Sequence, residues 1–204
     1  MRFIDLYAGL GCFHQALSKL GHKCVWATEI NPTLRELYKK NFPGTLIEGD
    51  IFKKKPDEIP VHDIICAGFP CQPFSKAGKR KGLKDIKNGN HFHRILQIID
   101  SKKKSPPKYL LLENVAAILS HDNGYTFKLI KKELKKRNYD VSEKILSPHE
   151  FGVPHYRRRL FIVGAHKDTG GLKTFKFPQA TEDKNLSIDK IIDKIESLTL
   201  NSKN

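Results

Sequence analysis

The chain has 204 residues, with 37 Lys and Arg against 22 Asp and Glu, a formal net charge of +15 and 39% hydrophobic residues. That length supports one sizeable core, with a single α/β domain as the default, and the positive excess fits either a polyanionic partner or a solvated basic surface. No apolar run reaches membrane-spanning length, and Cys12, Cys24, Cys66 and Cys71 form no CxxC pair and no matched Cys/His spacing, so no spanning helix, structural zinc or disulfide framework is expected.

The N-terminus enters a strand without a signal-peptide pattern, and a soluble protein of a reducing cytoplasm is expected. Residues 2–7 read as that first strand, and Ala8-Gly9-Leu10-Gly11 as a turn into a helix over 12–20. Two glycines allow close backbone approach to a ligand and the helix N-terminus offers free amides, although any tight strand-to-helix connection uses glycine. A second strand over 22–28 ends in Glu29, twenty positions after Gly9. That spacing suits an acid accepting hydrogen bonds from ribose hydroxyls in nucleoside-binding α/β folds. A nicotinamide dinucleotide is the rival ligand, but the run Gly9-Leu10-Gly11-Cys12-Phe13-His14 lacks the third glycine of its fingerprint.

Asn31 caps and Pro32 starts a helix to about residue 41. A third strand around 46–48 leads into Gly49-Asp50-Ile51, where Asp50 on residue type alone is a turn aspartate bonded to its own backbone. Asp63-Ile64-Ile65-Cys66-Ala67 is a short apolar run typical of a buried parallel strand, and Gly68-Phe69-Pro70-Cys71-Gln72-Pro73-Phe74-Ser75 follows it. A side chain just past such a strand lies at the carboxyl edge of the sheet, where open α/β folds bind ligands. Pro70 and Pro73 stiffen the loop around Cys71, yet a lone cysteine is more often a small buried hydrophobe than a nucleophile.

Residues 76–90 carry Lys76, Lys79, Arg80, Lys81, Lys84 and Lys87 among three glycines, which suits a lid over a phosphate backbone or a surface loop. A helix over 92–101 places Ile95, Ile98 and Ile99 on one face. After Pro106-Pro107 the strand Tyr109-Leu110-Leu111-Leu112 ends at Glu113-Asn114-Val115, so an acid again faces the cleft. His121-Asp122-Asn123-Gly124 is a turn, residues 125–137 a helix with Phe127, Ile130 and Leu134 in the core, and 139–146 a strand. Arg157, Arg158 and Arg159 precede an apolar strand over 160–165 and by themselves read as exposed charge.

Gly-Phe-Pro-Cys-Gln-Pro-Phe-Ser at 68–75, followed in order by Glu-Asn-Val at 113–115, resembles the cytosine-5 DNA methyltransferases of the bacterial restriction-modification type. The resemblance implies an α/β fold with a Rossmann-like, doubly wound, mostly parallel sheet of the S-adenosylmethionine-dependent type. It implies transfer of a methyl group from S-adenosyl-L-methionine to carbon 5 of cytosine in DNA, after a Cys71 thiolate adds to carbon 6 of a flipped base. By the same resemblance Asp5, Tyr7, Ala8, Gly9 and Gly11 form the turn that holds the methionine moiety. Glu29 meets the ribose, Asp50 the adenine and Ile51 its apolar slot, and Ile30 and Pro70 complete the cofactor set. Cys71, Glu113, Arg157 and Arg159 are the implied catalytic residues, with Arg159 bonded to the base and orienting Glu113. Ser75, Lys76, Lys79, Arg80 and Lys81 are the implied DNA contacts. The chain departs from the family pattern at Tyr7, Cys12, Lys87 and His155, where Phe, Gly, Arg and Gln are usual.

The resemblance runs from Arg2 through Ala165, which gives a cofactor-binding and catalytic domain over 1–165. The rest, 166–204, is expected to be a tail with a helix over 187–198, striped by Ile188, Ile191, Ile192, Ile195 and Leu198, that begins a target-recognition region. A second protein chain supplying target recognition and the family's C-terminal motifs is the expected partner, besides DNA. Two other expectations stay open: a tRNA cytosine-5 methyltransferase, and a catalytically silent module that binds nucleic acid or S-adenosylmethionine.

Overall fold

Seven short segments carry the period-two or continuous apolar pattern of strands, and all seven join one sheet. They are β1 (Arg2–Leu6), β2 (Lys23–Thr28), β3 (Ile47–Glu48), β4 (Ile64–Gly68), β5 (Tyr109–Val115), β6 (Tyr139–Leu146) and β7 (Arg159–His166). The helices are α1 (Cys12–Lys19), α2 (Pro32–Asn41), α3 (His91–Ser101) and α4 (Tyr125–Lys135). This computed structural model describes residues 1–70 and 91–181, so the loop after Pro70 and the helix expected over 187–198 lie outside the described residues.

The strand order is β3-β2-β1-β4-β5-β7-β6. The first five strands run parallel, whereas β7 is antiparallel to both β5 and β6. The order reverses between β1 and β4, and ligands of open α/β sheets bind in the crevice outside such a switch point.

Alternation along β1 divides the core. Ile4 and Leu6 face the layer of Ile95, Ile98, Phe127, Ile130 and Leu134 from α3 and α4. Phe3 packs with Cys24, Tyr38 and Cys66 and, from the first two helices, Phe13, Leu17 and Phe42. Helices on both faces make this the Rossmann-like, doubly wound α/β fold. Each fully buried Ile, Leu or Phe contributes roughly 1.5–3 kcal/mol relative to exposure. Arg137 locks α4 to α3 through paired bonds to Asp100, both at 2.7 Å.

Two strand ends differ from the sequence reading. β5 continues through Glu113-Asn114-Val115, because β4 pairs with it as far as Glu113 and β7 pairs with all three residues. Likewise Arg159 opens β7, opposite Val115 and Leu146, instead of preceding the strand. After β7 the chain turns at residues 167–171 and comes back beside β6, where Lys144 donates to the Pro178 carbonyl and the Thr181 amide donates to the Glu150 carbonyl at 2.8 Å. Among the described residues no helix is long and apolar enough to cross a membrane.

Candidate active site

The turn after β1 is built on left-handed backbone. Tyr7, Gly9 and Gly11 have φ of 57°, 54° and 83°. A Cβ on Gly9 would meet nothing within 4 Å, so the backbone there is open to close approach. A Cβ on Gly11 would lie 2.3 Å from Phe42 and 2.9 Å from Tyr38, so at this position glycine is required by packing as well as by φ. The Ala8 amide donates to the Thr28 carbonyl at 2.8 Å and fixes the turn to the end of β2.

Glu29 is oriented by two amides: Gly9 donates to one carboxylate oxygen and Asn31 to the other, each at 2.8 Å. Arg35 donates to the Glu29 and Ile30 carbonyls at 2.8 and 2.7 Å, and the Ile30 side chain is left 71% exposed beside the turn. Asp50 caps a 3-10 turn by accepting from the Phe52 amide at 2.9 Å, and Ile51 is buried beneath it. The backbone-only role that residue type suggested for Asp50 is therefore present, and its carboxylate stays partly exposed.

Asp5 differs from its expected neighbours in being fully buried. Its Oδ2 accepts from the Tyr38 hydroxyl at 3.5 Å and its Oδ1 has no partner. Burial pushes this carboxyl up to about 8, opposed by the Tyr38 hydroxyl and the His14 backbone amide and reinforced by the charge of Glu29.

At the switch-point edge, Arg159 Nε lies 3.0 Å from Glu113 Oε1. The ends of β4, β5 and β7 bring these groups together, with Gly68 opposite Glu113 in the parallel register and 3.4 Å of clearance from a Gly68 Cβ to Glu113 Oε2. Burial raises the Glu113 carboxyl above its ordinary value and outweighs the opposing charges of Arg159 and Arg157 and the Arg159 hydrogen bond. Burial therefore favours the neutral carboxyl at Glu113 while the Arg159 contact favours the charged one, and the net direction is upward. Arg157 has an exposed side chain, and its amide donates to Ser147 Oγ at 3.0 Å, within a turn where the Glu150 carboxylate accepts from the Ser147 amide.

Pro70 is half-buried at the margin of the described residues. Cys71, Ser75, Lys76, Lys79, Arg80 and Lys81 lie outside them. Three residues given no role in the sequence reading support the site. Asn114 donates to the Phe69 carbonyl at 2.9 Å, just before Pro70. Arg94, in the apolar stripe of α3, donates to the Ile51 carbonyl from Nε at 3.2 Å and from one terminal nitrogen at 2.9 Å, and also to the Lys54 carbonyl. His91 accepts from the Tyr7 hydroxyl through its carbonyl at 3.4 Å and sets its ring against Tyr7 and Phe52. The signals were available for two of them: Asn114 sits inside the Glu-Asn-Val run, and a basic residue in an apolar helical stripe needs buried acceptors.

An acid aligned by two amides, an open glycine turn and a capped Asp50 around one crevice fit a nucleoside with free hydroxyls. No group of His, Cys, Asp and Glu among the described residues could hold a metal ion.

The model of the family described as C-5 cytosine-specific DNA methylase matches residues 1–204. Type II methyltransferase M.HhaI of Haemophilus parahaemolyticus is 41% identical over 89% of this chain and 54% of its own length. Type II methyltransferase M.MspI of Moraxella sp is 43% identical over 79% of this chain and 38% of its own length. The chain spans about half the length of the curated relatives it matches. The solved structure of S. pombe Dnmt2 methyltransferase superposes with a TM-score of 0.68 at 27% identity, over 95% of this chain and 55% of that one.

Proposed function

Because the chain belongs to the C-5 cytosine-specific DNA methylase family, we propose that it transfers a methyl group from S-adenosyl-L-methionine to carbon 5 of cytosine in DNA. The observation that carries this reading is the Glu113–Arg159 pair at 3.0 Å at the shared edge of β4, β5 and β7, with burial raising the Glu113 carboxyl above its ordinary value. The family description, which names DNA, supports the DNA substrate.

In this reading the turn of Tyr7, Ala8, Gly9 and Gly11 receives the methionine end of the cofactor, Glu29 the ribose hydroxyls, and Asp50, Ile51, Ile30 and Pro70 the adenine and its surroundings. S-Adenosyl-L-methionine supplies an electrophilic methyl group on a sulfonium. Carbon 6 of cytosine is a poor electrophile until charge developing in the ring is stabilised, which is the task of Glu113 as an acid against the ring nitrogen. The Cys71 thiolate would form a bond to carbon 6 and push the ring electrons toward carbon 5, which would take the methyl group as its bond to the sulfonium sulfur breaks and the sulfur keeps that electron pair as a neutral thioether. A base removes the carbon 5 proton, the electrons return, and the bond from carbon 6 to sulfur breaks. Arg159 holds Glu113 and the base edge, with Arg157 adding positive potential. The base must leave the stack to be reached, and Ser75, Lys76, Lys79, Arg80 and Lys81 are assigned to the DNA around it.

The domain division at 165 and a second chain carrying target recognition are the finer parts of the proposal; the motifs that carry the resemblance all lie before residue 166, within a family match over 1–204. Labelled methyl transfer into unmethylated DNA and bulk tRNA, by this chain and its Cys71→Ala variant, tests the whole. Label in DNA that the variant loses is expected once a recognition chain is added. Label in DNA without one removes the two-chain part, label in tRNA alone overturns the substrate, and undiminished label with Cys71→Ala overturns the covalent route.

A further inference from the structure

We propose that Asp5, Tyr38 and His14 are positioning residues of the glycine turn: a buried chain of hydrogen bonds, out of reach of any ligand, that holds α1 and α2 beneath Gly9 and Gly11. For the identity of the cofactor this rests on the reading above; for the mechanics of the turn it rests on geometry alone.

The three residues come from three elements and meet on one face of the sheet. Asp5 is on β1 with no exposed surface, Tyr38 is on α2 and equally buried, and His14 is on the first turns of α1 at 6% exposure. His14 Nδ1 lies 2.7 Å from the Tyr38 hydroxyl, which in turn lies 3.5 Å from Asp5 Oδ2. Phe42 stacks on the His14 ring at 3.8 Å between centroids and 11° between planes. The rings of Tyr38 and Phe42 are the same two that a Cβ on Gly11 would strike. The seat of the turn is therefore defined by side chains whose own positions the hydrogen-bond chain sets.

Burial favours the uncharged form of every member. It raises the Asp5 carboxyl and the Tyr38 hydroxyl and lowers His14. One proton arrangement links the three: the Tyr38 hydroxyl donates to Asp5 Oδ2, and neutral His14 donates from Nδ1 to the Tyr38 oxygen. Other titratable groups face Asp5 from the neighbouring elements: Cys24 on β2, Cys66 on β4 and Glu29 after β2. Burial pushes Cys24 up to about 11 and raises Cys66 well above its ordinary value, so of these three buried groups Asp5, raised to about 8, is the one that changes charge between pH 7 and 9. The carboxyl has no outlet to a ligand, which separates this role from the direct contact that the family resemblance implied.

Two measurements on the 204-residue chain test the inference. The first uses no ligand: amide hydrogen exchange of residues 7–15. Tyr38→Phe and His14→Leu are expected to speed exchange there about ten-fold while leaving α3 and α4 unchanged, and His14→Asn, which keeps a donor near Nδ1, to restore the slow rate. Wild-type rates in Tyr38→Phe, or acceleration spread evenly over the fold, would overturn the positioning role. The second is calorimetric titration with S-adenosyl-L-homocysteine from pH 7 to 9. Wild-type affinity is expected to fall relative to Asp5→Asn as pH rises, a difference in which titration of the ligand's own amine cancels. Loss of binding by Asp5→Asn at every pH indicates a direct contact and overturns the proposal. No binding by the wild type rejects the cofactor reading instead, and the exchange result then decides the positioning claim.

Discussion

The Asn114 side-chain amide donates to the Phe69 carbonyl at 2.9 Å, joining the ends of β4 and β5 across 45 residues of sequence. Its oxygen accepts from the Val115 amide at 2.8 Å, so both ends of a side chain only 2% exposed are used. Asn114→Leu leaves the Phe69 carbonyl without its donor and should cost about 1–3 kcal/mol in urea unfolding. Asn114→Asp keeps an acceptor for Val115 but offers no amide donor to Phe69, and should be no more stable than Asn114→Leu. Recovery of wild-type stability by the aspartate would show that the Phe69 bond is dispensable.

With Glu113 as the proposed acid, its raised carboxyl predicts an alkaline limb in the pH profile of kcat/KM for methyl transfer, as the carboxyl ionises. Arg157 lowers the Glu113 carboxyl by charge alone, so removing it must raise that carboxyl further. Arg157→Gln should therefore move the limb to higher pH, with a smaller loss of rate than Arg159→Gln, which also breaks the 3.0 Å pair. Movement of the limb to lower pH in Arg157→Gln would contradict the charge assignment.

Acid stability should depend on His62, which is 3% exposed, with Nδ1 on the Pro60 carbonyl at 2.7 Å and Nε2 buried without a partner. Burial lowers its ring from the ordinary 6.5 to about 4. The unfolded chain therefore binds the proton first, and the stabilisation is complete above pH 6.5 and is lost as pH falls toward 4. The loss amounts to about 3 kcal/mol at most. His62→Asn, which keeps a donor for Pro60, should flatten urea midpoints between pH 7 and 4.

Asp5 acts in the opposite direction. Its carboxyl is raised in the folded state from 3.8 to about 8, so the stabilisation is complete below about 4 and is lost as pH rises through 8. The difference in unfolding free energy between wild type and Asp5→Asn should shift against the wild type across that window. A difference that is constant with pH would mean that Asp5 is ionised throughout.

The two glycines of the turn should respond differently to alanine. Both sit at positive φ, a cost of about 1 kcal/mol or more for either substitution. Gly11→Ala adds a collision with two packed rings, for a total of about 2–4 kcal/mol in thermal or urea unfolding. Gly9→Ala meets no neighbour and should lose cofactor affinity much more than stability.

The order of strands and helices and the placing of Glu29 and Glu113 at strand ends were legible, because apolar periodicity and a few glycines and prolines encode them locally. What escaped depends on partners distant in sequence. The apolar run of the fifth strand covers Tyr109 to Leu112; pairing with β4 as far as Glu113 and with β7 through Val115 carries the strand on over the polar residues. Arg94 sat unnoticed among Ile95, Ile98 and Ile99, because its acceptors, Ile51 and Lys54, lie about forty residues earlier. The motif places Asp5 at the turn, and the resemblance implies a ligand contact there. Strand alternation turns it inward with Phe3, and only Tyr38 and His14 show what it meets.

The return of residues 167–181 beside β6 governs reach. At His166 the chain stands five residues along β7 from Phe161, the partner of Glu113, and therefore roughly 17 Å from that edge at 3.3 Å per residue. By Thr181 it has come back to Glu150, in the turn that also binds the Arg157 amide through Ser147. A cargo tethered at 181 would thus be delivered beside the reacting edge by a linker of a few residues, whereas the same cargo grafted at 166 would first have to cover that distance.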